Sequence, residues 1–153
     1  MPKNWLITGS SRGFGRVWAR AALERGDRVV LTARDPRSVV DLVEEFPSTA
    51  RAIALDVTDR ERVAVVVEEA RAFLGSIDVA VNNAGYGLFG MVEEITEDQA
   101  REQFETNVFG ALWVTQAVLP VMRDQGSGHI VQVSSIGGVQ AFPGLGVYNA
   151  SKW

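Results

Sequence analysis

Tyr148 and Lys152 stand four residues apart near the end of a 153-residue chain. In a helix, residues at that spacing share a face one turn apart. A phenol ionises near pH 10, too high for acid/base work at neutral pH. A lysine cation about 4 Å away, at an effective dielectric near 20, is worth about 4 kcal/mol. That is about three pKa units, enough to bring the phenol near 7. Ser135 lies upstream, at the end of an apolar run, where its hydroxyl could bond a substrate oxygen beside that phenol. Taken alone, a Tyr-x-x-x-Lys pair is more often an exposed helix pair. The chemistry therefore depends on what else the chain brings to the same place.

The first quarter of the chain supplies a candidate. Trp5-Leu6-Ile7 is followed by Thr8-Gly9-Ser10-Ser11-Arg12-Gly13-Phe14-Gly15. Phe14, Val17, Trp18, Ala21 and Ala22 then recur at helical period, and Gly26-Asp27 marks the helix end. The stretch reads as strand, glycine-rich turn and helix. Such a turn brings backbone N–H groups close to a ligand, and the helix points its positive end at the same spot. A pyrophosphate fits there. The alternative is a tight strand-to-helix turn without a ligand, since G-x-x-x-G-x-G differs from the generic G-x-G-x-x-G fingerprint.

The elements that position these residues follow in order. Arg28 to Ala33 reads as a buried strand. Asp35 caps a helix from Pro36 to about Phe46, with Pro36 at the first helical position. Ala50 to Leu55 is a third strand, ending at Asp56-Val57. Thr58 and Glu61 fit a capping box before a helix buried along Val63, Val66, Val67, Ala70 and Leu74 and closed by Gly75. Ile77 to Val81 is a fourth strand, followed by Asn82-Asn83-Ala84-Gly85. Thr96 and Gln99 form a second capping box. It opens a long helix to about Arg123, with a bend expected at Pro120. That helix is apolar over more than one face, which predicts burial against both the sheet and a partner subunit. His129 to Val133 is a fifth strand, followed by Ser134-Ser135 and a glycine-punctuated apolar loop. Alternating helices and continuous apolar strands predict an α/β fold, one domain over 1–153, with a parallel sheet covered on both faces. Ligands bind beyond the carboxyl ends of such strands, where Gly9 to Gly15, Arg34, Asp56, Asn82 to Gly85 and Ser134-Ser135 all fall.

Composition excludes several classes. The net charge is −4, with no basic cluster to carry nucleic acid. There is no cysteine, hence no disulfide framework, thiolate metal site or thiol nucleophile. His129 is alone, which argues against a metal site. The N-terminus lacks the apolar core of a signal peptide, and the longest apolar helix is too short to span a bilayer. A cytoplasmic protein without metal, nucleic-acid or membrane partners is expected.

With these motifs together, the chain resembles the short-chain dehydrogenase/reductase family over its whole length. Gly9, Gly13 and Gly15, with Ser11, Arg12 and Phe14 between them, match the cofactor turn. Asp56 and Val57 match the pair beside the adenine ring. Asn82, Asn83, Ala84 and Gly85 match the N-N-A-G stretch. Asn107 matches the helix asparagine of the catalytic tetrad, and Ser135, Tyr148 and Lys152 match its other three members. The resemblance implies a Rossmann-type doubly wound sheet of order 3-2-1-4-5. It makes Tyr148 the general acid/base and has Ser135 orient the substrate oxygen. Lys152 would lower the phenol pKa and hold the nicotinamide ribose, and Asn107 would anchor a water leading to Lys152. Ser134 competes for the serine role; the spacing to Tyr148 favours Ser135.

Cofactor choice turns on charge at the end of the second strand. Arg34 there, with Arg12 in the turn, favours NADP(H) over NAD(H), because two cations suit a 2′-phosphate. Asp35 is the counter-candidate, although capping explains it without a ligand. The loops Asn83 to Gly90 and Ile136 to Gly146 resemble those of the subgroup containing 17β-hydroxysteroid and retinol dehydrogenases, which implies a small apolar alcohol or carbonyl substrate. Phe142 and Leu145 either touch that substrate or only pack the loop. A homodimer or homotetramer through the helix from Thr96 is expected. Family members continue well beyond this lysine, so the sequence reads as a truncated portion of an NADP(H)-dependent oxidoreductase. The alternatives are a dinucleotide-binding module without turnover and an interaction piece that binds nothing.

Overall fold

The computed structural model describes residues 1–153. Five parallel strands, β1 Asn4–Ile7, β2 Arg28–Ala33, β3 Ala50–Ala54, β4 Val79–Asn82 and β5 His129–Gln132, form one sheet. Their order is β3-β2-β1-β4-β5, the doubly wound arrangement. Side chains alternate across the pleat. Leu6, Val30 and Ala80 meet one face, under α3 (Arg60–Leu74) and α5 (Ala111–Gln125). Ile7, Val29, Leu31, Val79 and Val81 meet the other, under α1 (Gly13–Glu24) and α2 (Val40–Glu45). Burial on both sides explains why the strands read as unbroken apolar runs. Strand order reverses between β1 and β4, so the crevice opens between their carboxyl ends. β5 is an edge strand, and none of its residues is fully buried.

The helices depart from expectation in instructive places. In α1 the buried residues are Gly15, Ala19, Ala22 and Leu23. Phe14 and Val17, which begin the apolar helical period, are 69% and 60% exposed. Small residues let α1 approach the sheet closely, so the large apolar side chains are turned outward, with Phe14 stacked on Trp18 at 5.4 Å. α3 is capped by Asp59, whose carboxylate accepts from Arg62 N at 2.9 Å. Thr58 does not cap it. Its N–H and hydroxyl both donate to Asp56 Oδ1, at 3.0 and 2.8 Å, in a local turn that competes with capping. Asp35 and Pro36 do open a helix, as a 3₁₀ turn over Pro36–Val39 that leads into α2.

The long helix from Thr96 is three pieces: α4 (Glu97–Phe104), a π-helical segment Glu105–Gly110, and α5. Its capping box forms as expected, with Thr96 N donating to Gln99 Oε1 at 3.0 Å and Gln99 N to Thr96 Oγ1 at 3.3 Å. The irregularity lies at Glu105–Gly110, upstream of Pro120, which α5 carries within its length. Contact with Val57 and with the loop after β4 accounts for that site. A β-carbon at Gly110 would stand 2.5 Å from Val57 Cγ2. Three residues earlier, Asn107 turns its amide inward. A short helix, α6 (Gly146–Lys152), closes the described chain. No helix is long and apolar enough to cross a membrane.

Candidate functional site

The glycine turn is built against the stretch after β4. Asn83 Nδ2 donates to Thr8 O and Gly9 O at 2.9 and 3.0 Å, and Thr8 Oγ1 accepts from the N–H groups of Asn83 and Ala84. A β-carbon at Gly9 would lie 2.8 Å from Ala84 Cα, and one at Gly15 would lie 2.4 Å from Asn83 Nδ2. Close approach requires both glycines. Gly13 differs: its φ is +60° and nothing lies within 4 Å of an added β-carbon. Beyond it α1 begins with no side-chain cap on its first N–H groups and no acidic residue in its first turn. Free amides at a positive helix end, with open space beside Gly13, fit a pyrophosphate. Ser11, Arg12 and Phe14 line the outer side of this turn, Arg12 and Phe14 being exposed.

At the carboxyl end of β2, Arg34 is exposed and follows buried Ala33. Neither Arg12 nor Arg34 forms an ion pair with a carboxylate, although Arg16, Arg20, Arg25 and Arg37 do. Asp35 is engaged on both oxygens by Arg37, at 2.9 and 3.1 Å from Nε, and also accepts from Arg37 N. The Arg37 guanidinium holds its carboxyl below the usual carboxylate range. Asp56 accepts from Thr58 through one oxygen. Val57 is 6% exposed and packs against Gly110.

The four remaining candidates come from α6, the turn after β5 and the π-helical segment. A β-carbon at Gly137 would stand 3.2 Å from Tyr148 Cε1 and 3.5 Å from Ser135 Oγ, so phenol ring and serine hydroxyl flank one small residue. Ser135 Oγ accepts from Gly137 N at 3.1 Å. Ser134 Oγ is instead donated to Lys152 O at 3.0 Å. Lys152 Nζ donates to Val133 O at 3.0 Å, and its burial pushes the ammonium below the usual lysine range. Asn107, 7% exposed, accepts from Tyr86 N at 3.1 Å and donates to Tyr86 O at 2.9 Å and Ser151 Oγ at 3.0 Å. At Gly85 an added β-carbon would stand 2.9 Å from Asn107 Oδ1 and 3.4 Å from Lys152 Nζ. A cavity of about 140 Å³ is lined by both of these residues, with Asn82, Ser134 and Ser151. It has room and polar partners for water.

Three contributors escaped the sequence reading. Thr8 bridges the two loops through its hydroxyl. Ser151 accepts from Asn107 and donates to Tyr148 O at 2.7 Å, tying α6 to the π-helical segment. Gln103 is fully buried beside Asn107. A threonine directly before the first glycine and polar residues on the inner face of a helix were the available signals.

Residues 3–153 match the family model for short chain dehydrogenases. An oxidoreductase of Botryotinia fuckeliana is 47% identical over 154 residues, covering all of this chain and 56% of its own. A 3-ketodihydrosphingosine reductase of Bacteroides thetaiotaomicron is 40% identical, covering 99% of this chain and 54% of its own. Among solved structures, a short-chain dehydrogenase from Streptomyces avermitilis superposes with a TM-score of 0.95 at 49% identity, over 99% of this chain and 56% of that one. A short-chain dehydrogenase/reductase from Burkholderia phymatum in complex with NAD gives 0.93 at 29% identity, over 99% and 55%. A metagenomic short-chain oxidoreductase in complex with NADP gives 0.92 at 32% identity, over 99% and 70%. The chain thus spans about half the length of the curated relatives it matches.

Proposed function

The chain belongs to the short-chain dehydrogenase/reductase family, and on that premise we propose that it carries the cofactor-binding and catalytic part of an NADP(H)-dependent oxidoreductase acting on an apolar alcohol or ketone. One observation carries the reading: Ser135 Oγ and the Tyr148 ring flank Gly137, while the stretch after β4 crowds the glycine turn at Gly9 and lies beside Lys152 Nζ at Gly85. When bound, the nicotinamide cofactor supplies or accepts the hydride. The chain's own residues do the rest. Gly13 and the first turn of α1 hold the pyrophosphate, and Arg12 and Arg34 hold a 2′-phosphate. Ser135 donates a hydrogen bond to the substrate oxygen, and Tyr148 gives or takes the proton at that oxygen. Lys152, as an ammonium, holds the nicotinamide ribose and keeps a positive charge in the site. Water in the cavity between Asn107 and Lys152 resupplies the proton. Asp35 is bonded on both oxygens by Arg37, which supports NADP(H) over NAD(H).

The crevice mouth supports an apolar substrate. Phe89 and Val92 on one loop, and Ile136 and Val139 on the other, are each more than 60% exposed. The two loops are joined by a hydrogen bond from Gly90 N to Gly144 O at 3.0 Å. Phe109, Leu112 and Leu119 on the long helix are also exposed, which supports a homodimer through that face; sedimentation of the full-length enzyme and of its Leu112→Glu variant tests it. For the chemistry, Tyr148→Phe in the full-length enzyme is the test. We expect kcat to fall by about 10²–10⁴ while NADPH affinity, read by its fluorescence, stays within twofold. An unchanged rate contradicts the acid/base role. A cofactor-binding protein in which wild type itself has no carbonyl turnover is a dinucleotide-holding module instead.

A further inference from the structure

We infer that Gln103 is a positioning residue for this reaction, a buried clamp that fixes the Tyr86–Leu88 backbone against Tyr148 and Lys152. The inference rests on the functional reading just given. Gln103 is 0% exposed and is the one polar residue among the largest fully buried side chains. Burying a carboxamide costs a few kcal/mol unless its ends find partners. Here both do. Oε1 accepts from Leu88 N at 2.8 Å, and Nε2 donates to Tyr86 O at 2.8 Å.

Asn107, four residues on, bonds the same Tyr86 through its N–H and its carbonyl. Two carboxamides about one turn apart thus satisfy three backbone groups of an irregular loop that has no ladder to satisfy them. That loop runs beside both reacting side chains. A β-carbon at Gly87 would stand 3.9 Å from Tyr148 Cδ2, and the one at Gly85 stands 3.4 Å from Lys152 Nζ. Gln103 itself reaches neither; it acts through the loop. A residue of purely structural importance would stabilise the fold without affecting turnover. A residue that sets the loop's place against Tyr148 must affect turnover, since a misplacement of about 1 Å can cost about a hundredfold in rate.

Gln103→Met removes both hydrogen bonds at similar volume. In the full-length enzyme, assayed below its melting transition, we expect kcat to fall at least about tenfold and NADPH affinity to stay within about twofold. Backbone hydrogen exchange at Tyr86–Leu88 should rise while that of β1 and β4 does not. Gln103→Glu keeps the acceptor for Leu88 N and should give an intermediate kcat. A wild-type kcat in Gln103→Met, with only a lowered melting temperature, overturns the positioning role; so does unchanged exchange at Tyr86–Leu88. If Gln103→Met does not fold, Gln103→Glu decides by the same readings. Absence of turnover in wild type would defeat the functional reading alone, and the exchange measurement would still decide the clamp.

Discussion

Arg34 and Arg12 are exposed arginines left without a carboxylate, whereas Arg16, Arg20, Arg25 and Arg37 are paired. Removing one hydrogen bond to a charged group costs about 1.5–3 kcal/mol. Arg34→Ala should therefore raise the KM for NADPH by about tenfold or more and leave that for NADH nearly unchanged; equal loss with both cofactors contradicts the 2′-phosphate assignment. Lys152 offers a pH test. Burial lowers its folded-state pKa below the ordinary 10.5. Between that lowered value and 10.5 the unfolded chain holds more protons than the folded one, so stability from this group rises with pH there. Below the window the full cost of burying the ammonium is carried. Denaturation of wild type against Lys152→Met should show wild type gaining relative stability as pH climbs toward 10.5, whereas a constant difference would mean that the ammonium is not desolvated. Tyr148, Lys152 and Ser135 could be singled out in the sequence because their chemistry and spacing coincide with the family's tetrad. Gln103 was not, because a buried amide has no signature until its partners are known.

At the scale of elements, the strand–turn–helix at the start of the chain depends on which glycines are crowded. Gly15 faces Asn83 Nδ2 at 2.4 Å and Gly9 O at 2.6 Å from an added β-carbon. Gly15→Ala should destabilise by about 1–3 kcal/mol through overpacking and weaken NADPH binding, because the brace that shapes the turn must move. Gly13→Ala has open space and pays only for its φ of +60°, about 1–2 kcal/mol. Thermal melts of the two variants read the contrast in stability, since a methyl at Gly13 would itself meet the pyrophosphate; equal losses of stability would mean that crowding does not shape the turn. The strands and the buried stripe of α3 were readable because continuous apolar runs and helical period depend on burial alone. The apolar period read along α1 meets its buried side only at Ala22, because Gly15 and Ala19 carry little hydrophobic signal, although their smallness permits the closest approach. The π-helical segment was invisible for a different reason: its cause, the contact of Gly110 with Val57 and of Asn107 with Tyr86, is tertiary.

The whole molecule is a two-sided sheet whose switch point gathers chemistry from separate parts of the chain. Asp27 pins its lower corner, accepting from Lys3 N at 2.8 Å, Trp5 Nε1 at 2.8 Å and Arg25. Burial raises its pKa, but those hydrogen bonds outweigh burial and hold the carboxyl below its ordinary 3.8. At the other end, Asn83 joins the first turn to the loop after β4, Gln103 and Asn107 join that loop to the long helix, and Ser151 joins the helix to α6. Fold class was legible from the alternation of elements, and strand order followed from the family resemblance. This chain of braces was not, since each link joins residues distant in sequence. Its consequence is that the phenol from α6 should meet a nicotinamide delivered by the opening turn. The most direct measurement is a crystal structure of the full-length enzyme with NADP⁺ and a substrate ketone or alcohol. We expect the pyrophosphate at the start of α1 and Tyr148 Oη within about 3 Å of the substrate oxygen. A phenol turned to solvent while the cofactor sits in the crevice would contradict the account.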